Sequence, residues 1–116
     1  MADFAHLRTH KYIDLVTFRK NGAGVHTPVW FAGTDDCLYV FSNPKSGKVK
    51  RIRNNPGVQI APCTMRGKVL GPHVRATARL AGDRNAAREA IRRKYWMARI
   101  PFIWSKDSIY LELLPA

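Results

Sequence analysis

The sequence predicts a mainly β fold, in which six short strands form an antiparallel sheet closed into a barrel, with one short and one longer helix. Three observations predict it: segments with strand composition recur along the chain, turn residues join them as hairpins, and only two segments carry clear helical signals. The length of 116 residues suits one domain, so we expect residues 1–116 to fold as a unit.

The six predicted strands share a high content of β-branched and aromatic residues and are separated by turn signals. They are Tyr12–Arg19, Val25–Ala32, Cys37–Ser42, Val58–Cys63, Val74–Leu80 and Ser108–Leu114. The turn at 21–24 joins the first two strands as a hairpin. Pro28 has no N–H to donate, which indicates an edge position or a bulge in the second strand.

The helical signals lie between the third and fourth strands and before the last strand. Ser46 is the predicted N-cap of about two helical turns that stop at residues 54–56. Asp83 is predicted to cap a longer helix that runs to about Trp96 and has apolar residues at four-residue spacing. Residues 2–10 have the composition of a further short helix.

The charge balance is unusual, because 20 Lys and Arg stand against 8 Asp and Glu, for a net charge of +12. Such a field attracts anions, and it leaves nucleic acid, an anionic membrane and a phosphorylated small molecule open as partners. No apolar run approaches the ~20 residues of a membrane span, and the first residues do not resemble a signal peptide. Cys37 and Cys63 are widely separated and in no metal-ligand spacing. Two ordinary thiols in a protein without a signal peptide indicate a reducing compartment, so we expect a cytoplasmic protein.

The strongest candidate site is the segment 43–56, where a predicted helix begins among basic residues without an acid. The basic residues are Lys45, Lys48, Lys50, Arg51 and Arg53. Ser46 and Gly47 stand at the helix start, where exposed backbone N–H groups and the helix dipole form an anion site. A phosphate is the natural guest, and the alternative is a solvated basic helix.

Two further groups extend this hypothesis. Thr17 and Arg19 share a face of the first strand, and Trp30 lies on the strand paired with it, which suits a phosphate and a planar ring. Ordinary barrel wall with a core tryptophan is the alternative. Arg66 and Lys68, in the loop before the fifth strand, either enlarge the anion site or belong to an exposed loop.

Several kinds of catalytic site are missing from the sequence. His6 and His10 have the i,i+4 spacing of metal ligands but no third ligand nearby, so we expect no metal site. There is no Ser-His-Asp order, paired-carboxylate site or Gly-x-Gly-x-x-Gly motif. We therefore expect no catalytic side chain, and any difficult chemistry would belong to a cofactor.

A succession of short motifs resembles the pyridoxamine-phosphate-oxidase-like class of FMN-binding split-barrel proteins, and more narrowly its deazaflavin (coenzyme F-420)-dependent oxidoreductases. The resemblance covers roughly residues 10–100. Its motifs are Thr17-Phe-Arg19, Thr27-Pro-Val-Trp30, Leu38-Tyr-Val40, Ser46-Gly-Lys-Val-Lys-Arg-Ile-Arg-Asn-Asn-Pro56, Ala61-Pro-Cys63, Arg66-Gly67 and Ala76-Thr-Ala-Arg79.

The resemblance implies a six-stranded Greek-key barrel and a homodimer with coenzyme F-420 or FMN at the subunit interface. It implies hydride transfer between the cofactor ring and a small organic substrate, with no strict catalytic acid or nucleophile from the protein. With the residue-level arguments above, it gives an expected cofactor-binding set of Thr17, Arg19, Trp30, Ser46, Gly47, Lys48, Lys50, Arg53 and Arg66. The segment 100–105 resembles the class least, and we expect it to cover the substrate side.

Two other functions remain as alternatives at this stage. One is a cofactor- or haem-binding carrier or sensor on the same barrel, without turnover. The other is a nucleic-acid-binding barrel, which the charge alone would favour. Single-strand binders expose aromatic platforms among their basic residues, and the basic run 45–53 contains no aromatic residue. We therefore expect neither a nucleic-acid nor a membrane partner.

Overall fold

Seven β-strands, two α-helices and a single 3-10 turn make up the part of the chain that the computed structural model describes, residues 4–7, 9–43, 45–94 and 109–116. The strands are β1 (Tyr12–Phe18), β2 (Gly24–Trp30), β3 (Ala32–Gly33), β4 (Leu38–Ser42), β5 (Gly57–Cys63), β6 (Val74–Leu80) and β7 (Ile109–Pro115). The helices are α1 (Gly47–Asn54) and α2 (Arg84–Lys94), and the 3-10 turn is Ala5–Leu7.

All the strands belong to one antiparallel sheet with the order β2-β1-β5-β6-β7-β4-β3. The sheet curls until its two ends approach each other. Trp30 on the edge strand β2 meets Phe41 on β4, near the other end, with ring centroids 6.3 Å apart. The predicted mainly β, antiparallel barrel with one short and one longer helix is confirmed. Pro28 lies on the edge strand, as predicted.

The structure corrects the predicted number of strands from six to seven. The segment predicted as one strand, 25–32, changes partner at Phe31. Trp30 pairs with Tyr12 on β1, whereas Ala32 pairs with Tyr39 on β4. Phe31 between them is buried in the core, so the chain turns there from one end of the sheet to the other.

Alternation along the strands sends one set of side chains into the barrel. The main core is formed by Ile13, Leu15, Leu38, Val40, Val58, Ile60, Ala76, Ala78, Leu111 and Leu113, with Phe4, Leu7, Phe31 and Ile52. A second cluster lies under α2, where Ala87 and Ile91 pack against Ala32 and Tyr110. Because Ala87 and Ile91 are four residues apart, they lie on one helix face.

The helix boundaries show which capping predictions hold. The carboxylate of Asp83 accepts a 3.0 Å hydrogen bond from the N–H of Ala86, so it caps α2 as predicted. Ser46 occupies the predicted N-cap position of α1 in an extended conformation, but its hydroxyl makes no capping bond. The predicted end of α2 near Trp96 and the segment 100–105 lie outside the described residues. No helix in the described ranges is long and apolar enough to cross a membrane.

Candidate functional site

The helical repeat of α1 sorts its basic residues onto two sides. Val49 and Ile52 are buried and hold the helix on the barrel. Lys48 and Arg51, three residues apart, are half-buried on one flank of this face, whereas Lys50 and Arg53 are exposed. The basic run therefore consists of an inner pair and an outer pair, which differ in what they can bind.

The inner pair concentrates positive charge in a partly desolvated place. Burial and the nearby Arg51 charge both lower the pKa of Lys48, burial having the larger effect. Among the described residues, no carboxylate forms an ion pair with Lys48 or Arg51. A bound anion would offset the cost of keeping these two charges together.

Arg51 is held in place by Thr17. Its Nε donates a 2.6 Å hydrogen bond to Oγ1 of Thr17, which is completely buried on β1. The guanidinium also lies over Gly47, where a Cβ would be 2.8 Å from Nη1 of Arg51. Gly47 thus supplies the space that lets Arg51 fold back along the helix toward the strand.

The start of α1 has no side-chain cap and no acidic residue in its first turn. The Ser46 hydroxyl instead lies 3.0 Å from that of Ser42 at the end of β4. The side chain of Asn43 accepts a 2.8 Å bond from the N–H of Lys45 and stabilises the preceding turn. The first N–H groups of α1 have no side-chain cap and Lys48 stands in the first turn, so the start of the helix offers donors of the kind that bind a phosphate.

A group of aromatic rings lies on the outer face of the sheet, beside the cluster under α2. Trp30 lies between Tyr12 and Phe41, with centroid distances of 6.2 Å and 6.3 Å. Phe41 directly precedes Ser42 on β4, so the two side chains point to opposite faces of the sheet, and Trp30 and Phe41 pack against the cluster under α2. Trp30 and Phe41 are only partly buried, and partly buried rings of this kind can pack against a planar ligand.

The structure does not bring all the predicted site residues together. Arg19 follows the end of β1 and is exposed in the hairpin turn, where its N–H bonds to the carbonyl of Ala23. Arg66 is exposed in the turn after β5, and Lys50 and Arg53 point outward from α1. No hydrogen bond within the described ranges connects these four side chains to Ser42 or Ser46.

Sequence reasoning left Arg51 out of the expected cofactor-binding set and did not consider Ser42 as a site residue. Arg51 was treated only as part of the basic run, although its three-residue spacing from Lys48 predicts a shared helix face. Ser42 was assigned only to a strand, and its closeness to Ser46 depends on how the chain turns at 43–45. A signal existed for the first residue and none for the second.

A separate cavity of about 610 Å³ lies between α2 and the strands β3 and β4. Its walls include Phe31, Tyr39 and Lys94. The Lys94 amine stands 3.4 Å from the centre of the Phe31 ring, and burial lowers its pKa to about 8. None of the nine predicted cofactor residues lines this cavity.

Comparison with known proteins identifies the fold. The structure resembles an F420 reductase with a TM-score of 0.68 and 19% identity, covering 96% of this chain and 91% of the other. It also resembles the haem storage protein HutZ from Vibrio cholerae, with a TM-score of 0.72, 13% identity and coverages of 92% and 82%. A third similar structure is General Stress Protein 26 from Bacillus anthracis, with a TM-score of 0.67, 19% identity and coverages of 91% and 80%.

Because the sequence identities are only 13% to 19%, the structural likeness establishes a shared fold alone. No curated protein matches the sequence significantly. A family model does match it, over residues 2–110, which is nearly the whole chain. The curled antiparallel sheet, the basic helix after β4 and this match lead to one assignment: the chain belongs to the pyridoxamine 5'-phosphate oxidase family.

Proposed function

We propose that the protein is an oxidoreductase that transfers a hydride between coenzyme F-420, or FMN, and a small organic substrate. Membership of the pyridoxamine 5'-phosphate oxidase family and the likeness to an F420 reductase support this proposal. The observation that carries it is the start of α1, where N–H groups without a side-chain cap and the half-buried Lys48 in the first turn supply donors for a phosphate.

In this proposal each part of the site has a distinct task. Ser46, Gly47 and Lys48 bind the cofactor phosphate, and Thr17 acts by holding Arg51 beside them. Trp30 and Phe41 orient the cofactor ring. The bound ring supplies the hydride chemistry, so the protein needs no acid or nucleophile of its own.

The outer cations bear on which cofactor is used. One phosphate needs only two or three cationic partners, and the half-buried Lys48 and Arg51 already supply two. Lys50, Arg53 and Arg66 are further cations, and all three are exposed. We propose that they attract the longer anionic tail of coenzyme F-420. Exposed charge pairs contribute only ~0.2–1 kcal/mol each and are screened by salt. The affinity for F-420 should therefore fall more steeply with salt than the affinity for FMN.

Fluorescence titrations with both cofactors test the site and the preference together. Lys48→Ala should weaken binding of either cofactor about tenfold or more, since a charge-assisted bond contributes ~1.5–3 kcal/mol. Lys50→Ala is the matched control on the same helix, and it should reduce F-420 affinity slightly and leave FMN affinity unchanged. Equal effects of the two substitutions would contradict the assignment of the phosphate to the inner pair.

Turnover separates an enzyme from a cofactor- or haem-binding carrier on the same fold. Reduced cofactor bound to the protein should transfer its hydride to a quinone or an enone faster than the same cofactor free in solution. Stopped-flow absorbance measures both rates. If neither a quinone nor an enone oxidises the bound cofactor faster than the free cofactor, the result favours a carrier over an enzyme.

We also propose that the protein acts as a homodimer with the cofactor at the subunit interface. Exposed apolar side chains support this arrangement: Met65, Val69 and Leu70 in the loop between β5 and β6, and Leu80 at the end of β6. Light scattering of the cofactor-bound protein at micromolar concentration should give twice the mass of one chain. A monomer under these conditions would contradict the dimer.

A further inference from the structure

Asp14, His26 and His73 meet on the outer face of the sheet, away from α1. Oδ2 of Asp14 lies 2.8 Å from Nδ1 of His26 and 2.9 Å from Nε2 of His73, and the three atoms all lie within 4.8 Å of one another. The two imidazole rings are nearly perpendicular, with centroids 6.0 Å apart. The residues are 12 and 59 positions apart in sequence, so only the fold brings them together.

The strand register explains why these side chains converge. On β1, Asp14 lies opposite Pro28 of β2 and Ala61 of β5, and His26 lies opposite Val16, the next residue on the same face as Asp14. His73 directly precedes β6, whose Val74 pairs with Ile60. The position of His73 is therefore level with Ala61, and the small side chain there lets the imidazole reach across β5 to Asp14.

The carboxylate of Asp14 is unusual because it is 2% exposed and no lysine or arginine among the described residues pairs with it. Burying a carboxylate away from water is costly unless a charge or several hydrogen bonds compensate. Its two partners are the histidines, which are 60% and 30% exposed. One buried anionic ligand and two accessible imidazoles leave room for a cation to enter from solvent.

We propose that Asp14, His26 and His73 form a binding site for a divalent transition metal of the Zn²⁺ type. Imidazole and carboxylate are ligands that such ions prefer, and three protein ligands leave a fourth position for water or another small ligand. Tetrahedral ligands with bonds of about 2.0–2.1 Å stand roughly 3.3 Å apart. The two contacts to Asp14 need to open by only a few tenths of an ångström. The two histidine nitrogens lie within 4.8 Å of each other and need to stand roughly 3.3 Å apart, and the exposed histidine side chains allow both changes.

This site shares no residue with the proposed phosphate site at the start of α1. Asp14 lies two residues from Tyr12 on β1, and His26 lies four residues from Trp30 on β2, so the metal site occupies the same sheet face as the aromatic group. Because it needs neither phosphate nor the inner basic pair, metal binding can be measured on the protein alone. Its failure would leave the proposed oxidoreductase activity untouched.

Calorimetry with Zn²⁺ on tag-free, chelator-treated protein provides the first test. The wild-type chain should bind a single Zn²⁺ with a dissociation constant in the low micromolar range or tighter. His26→Gln and His73→Gln should each raise that constant at least about tenfold. His26 is exposed on an edge strand, so this variant should remain folded, which circular dichroism can verify.

The chain has four histidines, and the other two, His6 and His10, provide the matched control. The double variant His6→Gln/His10→Gln should bind Zn²⁺ as the wild type does. Absence of stoichiometric binding by the wild type, or loss of binding in this double variant, would overturn the proposal.

Co²⁺ absorption tests the ligand types, because Cys63 lies on β5 near Ala61 and could bind a metal by itself. The spectrum of the Co²⁺ protein should show the d–d bands of a four- or five-coordinate site, and His73→Gln should abolish them. A thiolate charge-transfer band that persists in His73→Gln would assign the metal to a cysteine and contradict the proposed ligands.

Discussion

Arg51 donates a 2.6 Å hydrogen bond from Nε to Oγ1 of Thr17, and this bond joins α1 to β1 across 34 positions of sequence. Thr17 is completely buried, while Arg51 is half-buried beside Lys48. The bond therefore anchors the basic helix to the barrel and fixes where the Arg51 charge stands. The Arg51 charge is thus held beside the candidate phosphate site by a hydroxyl, and no carboxylate of the described residues neutralises it.

Removing this hydroxyl should destabilise the protein. Thr17→Val keeps the shape of the side chain but leaves the guanidinium without its acceptor, and hydrogen bonds to charged groups contribute about 1.5–3 kcal/mol. We expect the free energy of unfolding in urea to fall by about that amount. Thr77→Val, at an exposed position on β6, is the control and should change it by no more than about 0.5 kcal/mol. Similar losses in both variants would mean that the Arg51 bond contributes little.

Gly47→Ala should disturb the same contact from the other side. The added Cβ would lie 2.8 Å from Nη1 and 3.6 Å from Cζ of Arg51, so the guanidinium must shift, and we expect the shift to weaken its bond to Thr17. The substitution should therefore cost less in the Thr17→Val background than in the wild type, with a coupling of about 0.5–1.5 kcal/mol. Urea denaturation of the two single variants and the double variant measures it. Strict additivity would show that Arg51 can move aside without losing the bond.

Gly33 is required by the turn between β3 and β4. Its φ of 144° is a conformation that side chains disfavour, and a Cβ there would overlap the carbonyl oxygen of Cys37. Gly33→Ala should cost at least about 2–3 kcal/mol, because backbone strain and the clash add. Gly22→Ala is a matched control, since Gly22 has a φ of 89° but open space around it. Thermal unfolding of both variants separates the clash from the strain. Equal losses of stability in the two variants would show that the clash at Gly33 adds nothing to the backbone strain.

Lys94 should make stability depend on pH in the alkaline range. Burial lowers its pKa in the folded protein from 10.5 to about 8. Below pH 8 the lysine is protonated in both states and the full cost of burying its charge is present. Between about pH 8 and 10.5 the unfolded chain binds more protons than the folded protein, so stability rises with pH. The unfolding free energy of the wild type relative to Lys94→Met should therefore increase from pH 7.5 to pH 10.

The exposed Lys20 supplies the control for this measurement, because Lys20→Met should show no such trend relative to the wild type. Comparison with variants also removes contributions from other groups. Tyr39, for example, has its pKa raised to about 12, chiefly by a hydrogen bond with Cys37. A flat difference between the wild type and Lys94→Met across this pH range would mean that Lys94 keeps its ordinary pKa.

Local patterns in the sequence determined most of the secondary structure. Alternation and β-branched residues located the strands, Pro28 indicated the edge strand, and Asp83 marked the start of α2. These signals depend on neighbouring residues and on backbone preferences, so they are readable without the fold. Phe31 was the exception. Its burial divides a continuous strand pattern into β2 and β3, because the two halves pair with opposite ends of the sheet.

The sequence also determined that a basic helix follows β4, which is the central element of the candidate site. The assignment of individual residues to the cofactor stays a prediction, and only the fold shows which basic residues are partly buried. Lys48 and Arg51 differ from Lys50 and Arg53 because α1 packs on the barrel through Val49 and Ile52. That packing depends on the partner surface and not on the composition of the run.

Contacts between distant residues were decided by tertiary structure alone. The pairs Thr17–Arg51 and Asp14–His73 depend on strand order and register, and a shift of one residue in register would send these side chains to the opposite face of the sheet. Sequence spacing carries no information about such register. This is why the sequence predicted no metal ligand set, although all three residues of the Asp14 cluster were visible in it.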